Sequence, residues 1–279
     1  MNLKNINWLA SFPKSGNTWT RAFLRAYQFD AYEPINVNQI GKISRSESRL
    51  RYFNQVAGRS GPFTDSEIDE LRQEVQRLVA RHIGVHQVAK THNARIVRNG
   101  TPLIFDECSR CAIYIVRNPL VVVDSFADHN GLSTDQAIAL MNDPQHTLGG
   151  PTDVLVTQYL TTWSNHVASW MMADAFPVYI TRYEDLLEDP LRRFGEMIRF
   201  LGWMYDEDRL RRAVKFSSFD ALSEFESQHG FYELSDKSQS GKFFRRGPQT
   251  KWTHALSEKQ ANQIYQDHFD IMAKFGYAP

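Results

Sequence analysis

Two rhythms of apolar residues alternate along the chain. Short apolar runs that end in polar or charged residues read as strands, and stretches with apolar positions three or four apart read as helices. The first run is Trp8-Leu9-Ala10-Ser11-Phe12. It breaks at Pro13-Lys14-Ser15-Gly16, and from Thr18 onward Trp19, Ala22, Phe23 and Ala26 keep to one helix face. Residues 30–63 lose the rhythm, with Pro34, Gly41, Gly58, Gly61 and Pro62 among basic and aromatic positions, and read as a loop-rich excursion. Thr64-Asp65-Ser66-Glu67 is a capping box, behind which Ile68, Leu71, Val75, Leu78 and Val79 mark a helix reaching about His82.

Val85 to Ala89 reads as a strand ending in Lys90-Thr91-His92. Leu103-Ile104-Phe105 is a short apolar run. Ala112-Ile113-Tyr114-Ile115-Val116 is a continuous one, of the kind buried on both faces of a parallel sheet. It stops at Arg117-Asn118-Pro119, where Asn caps and Pro opens a helix through His129. Ser133 with Gln136 caps a short helix. Beyond Gly149-Gly150-Pro151, the residues Leu155, Tyr159, Trp163, Val167, Trp170 and Met171 predict one long helix. Pro177-Val178-Tyr179-Ile180-Thr181 is the next strand. Asp189-Pro190 starts a helix with Leu191, Phe194, Met197, Ile198 and Leu201 inward, stopped by Gly202, and another helix lies around 206–216. Residues 226–251 show no clear period and predict a mobile flap; the chain closes with a helix capped by Ser257 and Gln260. Strands alternating with helices, without an internal repeat or a linker, predict an α/β fold. The expectation is one domain over 1–279, with a central parallel sheet flanked by helices.

Composition narrows the partners. Thirty-two basic residues balance thirty-two acidic ones in 279, so no whole-molecule field points to nucleic acid or an anionic membrane. No apolar stretch is long enough to span a bilayer and no signal peptide precedes the first strand, which predicts a soluble cytoplasmic protein. Cys108 and Cys111 form a lone C-x-x-C before a strand, read as two reduced thiols, and no metal-ligand cluster is visible.

The chemistry gathers at strand ends, where ligands of open α/β sheets bind. Lys14, Ser15 and Gly16 stand where a strand turns into a helix N-terminus. That is a site for an anion: free amides, a dipole, one full charge and hydroxyls from Ser15 and Thr18. It is not GxxxxGK[ST], because the Lys precedes the Gly. Lys90-Thr91-His92 ends another strand, Arg117 with Ser125 follows a third, and Thr181-Arg182-Tyr183 ends a fourth.

Pro13 to Trp19 resembles the PKSGxTW signature of sulfotransferases that use 3′-phosphoadenosine 5′-phosphosulfate (PAPS), with Asn17 at the variable position. Arg117 followed eight residues later by Ser125 is similar to the same family's 3′-phosphate signature, and Phe244-Arg245-Arg246-Gly247 with Trp252 resembles its late Arg-Lys-Gly element. There Arg246 replaces Lys, and Thr250 and Lys251 depart from the pattern. The resemblance implies a P-loop-like fold and a loop, Lys14 to Trp19, that holds the 5′-phosphosulfate. Arg117, Ser125, Arg245, Arg246 and Gly247 would hold the 3′-phosphate. Trp19 and Phe219 would stack on the adenine, with core packing as the alternative for both rings. Tyr183 and Ser217 would meet the adenine's edge, and Ser218 would lie near the phosphates.

His92 matches the family's catalytic His, and an imidazole suits a general base near neutral pH. The implied reaction is in-line transfer of a sulfuryl group from PAPS to a hydroxyl or amine of a small-molecule acceptor, leaving adenosine 3′,5′-bisphosphate (PAP). Lys14 would meet the bridging oxygen and Lys90 the sulfuryl oxygens, without a metal. Two other readings share the strand–loop–helix unit: a P-loop kinase or NTPase, and a PAP-binding protein without catalysis. The acceptor is not legible; residues 30–63, 128–150 and 226–244 are expected to line its site, with 128–150 as its lid. Residues Lys251 to Gln260 do not match the dimerisation stretch of cytosolic relatives, so the oligomeric state stays open.

Overall fold

A computed structural model describes residues 3–84, 86–149, 154–172, 174–245, 253 and 255–279. The strands are β1 (Ile6–Ser11), β2 (Ser44–Ser46), β3 (Val88–Thr91), β4 (Val97–Arg98), β5 (Thr101–Pro102), β6 (Ser109–Val116), β7 (Thr147–Leu148), β8 (Gln158–Tyr159) and β9 (Val178–Arg182). The helices are α1 (Asn17–Gln28), α2 (Leu50–Ala57), α3 (Asp65–His82), α4 (Pro119–Asn130), α5 (Thr134–Met141) and α6 (Trp163–Met171). They continue with α7 (Tyr183–Glu188), α8 (Pro190–Phe200), α9 (Glu207–Phe216), α10 (Phe219–His229) and α11 (Glu258–Lys274). The fold is α/β: a central parallel sheet of five strands in the order β2-β3-β1-β6-β9, flanked by helices.

The chain divides into two compact units. The first comprises residues 1–12, 44–114 and 143–180, and the second 13–43, 115–142 and 181–279. Almost all of the sheet belongs to the first unit. Every residue of β1 is buried, and so is every residue of β6 except Arg110, which is why both read as apolar runs rather than alternating ones. The register sets Trp8 beside Ala89, Leu9 beside Lys90 and Ala10 beside Thr91, so β1 and β3 end level. Trp8, Trp163, Trp170, Tyr114 and Phe53 are among the largest side chains fully buried in this unit.

Helix starts follow their caps. Thr64 with Glu67, Ser133 with Gln136 and Ser257 with Gln260 form reciprocal capping boxes, and Asn118 accepts from the Leu120 amide ahead of Pro119. The long helix expected through Leu155 and Tyr159 begins only at Trp163. Thr161 has a left-handed φ of 61° and Thr162 caps the helix by accepting from the Asn165 amide. Gln158–Tyr159 pairs instead with β7. The excursion at 30–63 contains β2, a three-residue strand too short and polar to read from its pattern.

In the second unit the stretch expected as a flap begins within α10. Its described remainder is fastened by carboxylates. Glu226 accepts from the amides of Phe243 and Phe244 at 2.6 and 2.9 Å, and Glu233 takes two bonds from the buried Arg21. Asp128 accepts from the hydroxyls of Ser238 and Ser240 and from the Ser240 amide. A residue pattern reports period, and this segment is held by carboxylate bonds to backbone amides and to other side chains, which have none. Cys108 and Cys111 are buried free thiols, the first pushed up to about 11 by burial, and neither is poised to react. No helix among the described residues is long and apolar enough to cross a membrane.

Candidate active site

The loop after β1 opens α1 at Gly16, which has φ +105°. An added Cβ there would lie 2.5 Å from Cδ2 of Tyr183, so only glycine lets this ring pack flat on the turn. The first turn of α1 carries neither a side-chain cap nor an acidic residue. Its leading amides have no intrahelical acceptor, and the positive end of the dipole is not offset by a carboxylate. Ser15 is fully buried and, among the described residues, its Oγ has no hydrogen-bond partner. A buried hydroxyl in that state costs free energy unless it meets a ligand atom, and it fits a phosphate or sulfate oxygen at this turn.

Lys14 and Arg117 meet at the same loop. Nη1 of Arg117 donates to the Lys14 carbonyl at 3.0 Å, and its guanidinium lies 4.3 Å from the Tyr183 ring centroid. Among the described residues, its buried Nε has no hydrogen-bond partner. The Lys14 ammonium sits 3.7 Å from the Phe243 ring centroid. Burial first, and then Arg117 and Arg245, bring the Lys14 pKa down to about 7, against the opposing pull of Asp128 and Glu233. Lys14, Arg117 and Arg245 therefore share one electrostatic neighbourhood in the second unit.

The remaining expected residues of this unit take varied places. Trp19 donates from Nε1 to the Ser217 carbonyl at 2.8 Å and meets Tyr183 and Phe194 edge-on. Phe219 packs instead at Phe244, so the two rings expected to sandwich adenine have different neighbours. Ser217 is fully buried and its hydroxyl donates back to Ala213, leaving only lone pairs for a base edge. Ser218 caps α10 by accepting from the Ala221 amide. The Thr18 hydroxyl accepts from Arg21 and faces Glu233. Asn17 is buried in the first turn of α1, and Ser125 is half-buried on α4 between Asp124 and Asp128. Arg245 pairs with both of those aspartates. Arg246, Gly247 and Trp252 lie outside the described residues. His129 and Gly131, expected in an acceptor lid, end α4: the His129 ring meets Phe243 edge-on and Gly131 lies under the Lys237 carbonyl.

In the first unit, Lys90 is half-buried in β3 and His92 follows the strand, 7% exposed. Nδ1 of His92 lies 2.7 Å from the Ser11 carbonyl oxygen, its amide donates to Gln158 Oε1, and its carbonyl accepts from Nε2 of His166 at 3.0 Å. The neighbouring Thr91 and Asn93 both donate to Oε1 of Glu47, whose Oε2 faces the buried Arg72 at 3.7 Å. Removing one partner of such a pair costs about 3–5 kcal/mol, so the turn carrying His92 is rigidly held. Sequence reasoning missed Glu47, Gln158 and His166, because nothing in their spacing ties them to position 92. It missed Phe243 beside Lys14, because nothing in their spacing ties those two positions together.

Residues 5–276 match the family model described as Sulfotransferase domain. The chain belongs to the sulfotransferase family. This bears out the resemblance read from the loop at Lys14 and the Arg117–Ser125 spacing. Sulfotransferase 1B1 of Canis lupus familiaris is 24% identical over 281 residues, covering 95% of this chain and 81% of that protein. Sulfotransferase 2A6 of Rattus norvegicus is 24% identical, covering 96% and 84%, and Cytosolic sulfotransferase 17 of Arabidopsis thaliana is 21% identical, covering 93% and 72%. Among solved structures, a mouse sulfotransferase, SULT7A1, complexed with PAP aligns with a TM-score of 0.59 at 19% identity, covering 96% of this chain and 84% of that one. Retinol dehydratase in complex with androsterone and inactive cofactor PAP aligns at 0.62 and 16%, covering 97% and 83%. The sulfotransferase fold is thus shared along nearly the whole chain.

Proposed function

We propose that this sulfotransferase moves the sulfuryl group of PAPS to a hydroxyl or amine of a small-molecule acceptor, with His92 as general base. The observation that carries the reading is the loop at Lys14 to Gly16, where a buried Ser15 hydroxyl, unpartnered among the described residues, and two cations meet a helix N-terminus that lacks an acidic cap. That donor set suits a doubly charged group better than a neutral one. PAPS supplies an activated sulfuryl group on a good leaving phosphate.

The residues divide the work. The loop amides and Ser15 orient the 5′-phosphosulfate, while Arg117, Ser125 and Arg245 hold the 3′-phosphate. Lys14 meets charge growing on the bridging oxygen and Lys90 steadies the sulfuryl oxygens. As the acceptor oxygen or nitrogen bonds to sulfur, the bond from sulfur to the bridging oxygen breaks and the acceptor proton passes to Nε2 of His92. The compartment we assign is the cytoplasm, after the relative named as cytosolic.

An acceptor screen with labelled PAPS, read by mass spectrometry, tests the activity, and calorimetry with PAP and with ATP–Mg tests the donor. Transfer to any acceptor, with PAP bound more tightly than ATP–Mg, supports the reading. Tight ATP–Mg with weak PAP would overturn it in favour of a nucleotide kinase or NTPase.

A further inference from the structure

Arg245 is assigned above to the 3′-phosphate, yet its guanidinium is already engaged. Nη2 pairs with the Asp124 carboxylate and lies 3.4 Å from the Asp124 carbonyl oxygen, and Nη1 stands 3.7 Å from Oδ1 of Asp128. The side chains are only 21%, 17% and 10% exposed, so these charges interact through a partly dehydrated medium and are weakly screened. Both aspartates stand on α4, one residue before Ser125 and three after it. The two carboxylates differ in what else they do. Asp128 binds the hydroxyls of Ser238 and Ser240 and the Ser240 amide, and so ties residues 238–240 to the helix. Asp124 makes the closer ion pair with Arg245, on both its carboxylate and its carbonyl.

We propose that Asp124 is an internal competitor for Arg245, and that the affinity for the nucleotide's 3′-phosphate is set by exchange of this arginine between the Asp124 carboxylate and the phosphate. The inference rests on the PAPS reading. A guanidinium fork binds two oxygens of one anion well, and two anions at one fork repel each other. With Ser125 adjacent to Asp124 in sequence and Arg245 on its carboxylate, a phosphate placed there enters a field that one fixed negative charge opposes. Asp124 thereby discriminates against any 3′-substituent that binds less strongly to arginine than a carboxylate does.

The test compares binding of PAP and of AMP, which lacks the 3′-phosphate, to the full chain by calorimetry. In Asp124→Asn the PAP dissociation constant is expected to fall by about tenfold, the equivalent of roughly 1.4 kcal/mol, while that for AMP stays within about twofold. In an Arg245→Gln background the same substitution should give a clearly smaller gain for PAP, because no arginine is left to release and only the repulsion by the carboxylate is relieved. Asp124→Ser, which also removes the charge, replaces the Asn variant if its melting profile shows that it does not fold. PAP binding that is unchanged or weakened in the charge-removing variant would overturn the competitor role and make Asp124 a positioning residue for Arg245. A wild-type chain that binds no PAP would overturn the PAPS reading, and this inference with it.

Discussion

Nδ1 of His92 lies 2.7 Å from the carbonyl oxygen of Ser11, and that one bond decides which ring nitrogen can take a proton. A carbonyl oxygen only accepts, so Nδ1 carries the hydrogen and Nε2 keeps its lone pair. The level ends of β1 and β3 set this pairing, since Ala10 stands beside Thr91 in the register. If Nε2 is the base of the proposed transfer, His92→Ala should lower kcat by about 10²–10⁴-fold while PAP affinity stays within about twofold. Transfer of label from PAPS and a PAP titration on the same preparation check it. Full turnover in the alanine variant would remove His92 from the chemistry.

His166 underlies that arrangement and gives it a pH limit. Its Nε2 donates to the His92 carbonyl, so its Nδ1 must accept from the Tyr114 hydroxyl at 2.8 Å. Complete burial brings its pKa down to about 4. The unfolded chain, with an ordinary histidine pKa near 6.5, then binds a proton that the folded chain refuses between pH 6.5 and 4. Stability from this group is present above pH 6.5 and is lost as pH falls through that window, by up to about 3 kcal/mol. His268, also brought to about 4 by burial, adds to the loss in the same window. The expected result is a thermal midpoint that drops from pH 6.5 to 4.5. In His166→Phe the midpoint starts lower, but the drop across the window is smaller. An equal drop in the two proteins would mean that His166 does not titrate as its burial requires.

Local signals made much of the fold legible. Thr64 with Glu67, Ser133 with Gln136 and Asn118 before Pro119 each specify a helix start through bonds made within a few residues, and each is found. The strand–turn–helix unit at Lys14 was equally legible, because a strand end, a Lys, a Gly and a helix start are adjacent in sequence. Contacts across long separations left no such trace. Gln158 reaches the His92 amide from 66 residues away, which is why the helix expected through Leu155 and Tyr159 gives way to a short strand there. Asp124 and Asp128 went unremarked within the helix after Pro119, and only the packed chain reveals Arg245 paired with both. Glu226, Glu233 and Asp128 anchor a segment whose own residues carry no period.

Gly16 offers a test of the loop that is independent of catalysis. Its φ of +105° is strained for any L side chain, and an added Cβ would stand 2.5 and 2.9 Å from two carbons of the Tyr183 ring. Gly16→Ala should therefore lose stability by about 1–3 kcal/mol from the backbone alone, with the clash added, and should bind PAP more weakly. Adding Tyr183→Ala relieves the clash and leaves the backbone cost. The urea midpoint of the double variant should then lie between those of Gly16→Ala and the wild type, after subtracting the effect of Tyr183→Ala alone. A Gly16→Ala protein as stable as the wild type would show that the turn relaxes freely.

If the proposed loop takes PAP, Lys14 couples that binding to proton uptake, and the direction follows from its surroundings. Burial under the Phe243 ring, with Arg117 and Arg245 nearby, brings its pKa to about 7, so at pH 8 most molecules of the free protein hold a neutral amine. A phosphate placed at the loop favours the ammonium and raises that pKa again. The bound protein then holds more protons than the free protein at pH 8, and binding draws one from the buffer. PAP's own phosphates, with a second pKa near 6, are already ionised there and add little. The heat of PAP binding at pH 8 should vary with the ionisation enthalpy of the buffer, with a slope approaching one proton, and affinity should fall as pH rises from 7 to 10. Lys14→Arg, whose guanidinium stays charged throughout this range, should abolish the buffer dependence while retaining binding. A wild-type heat independent of buffer would mean that the phosphates do not come near this amine.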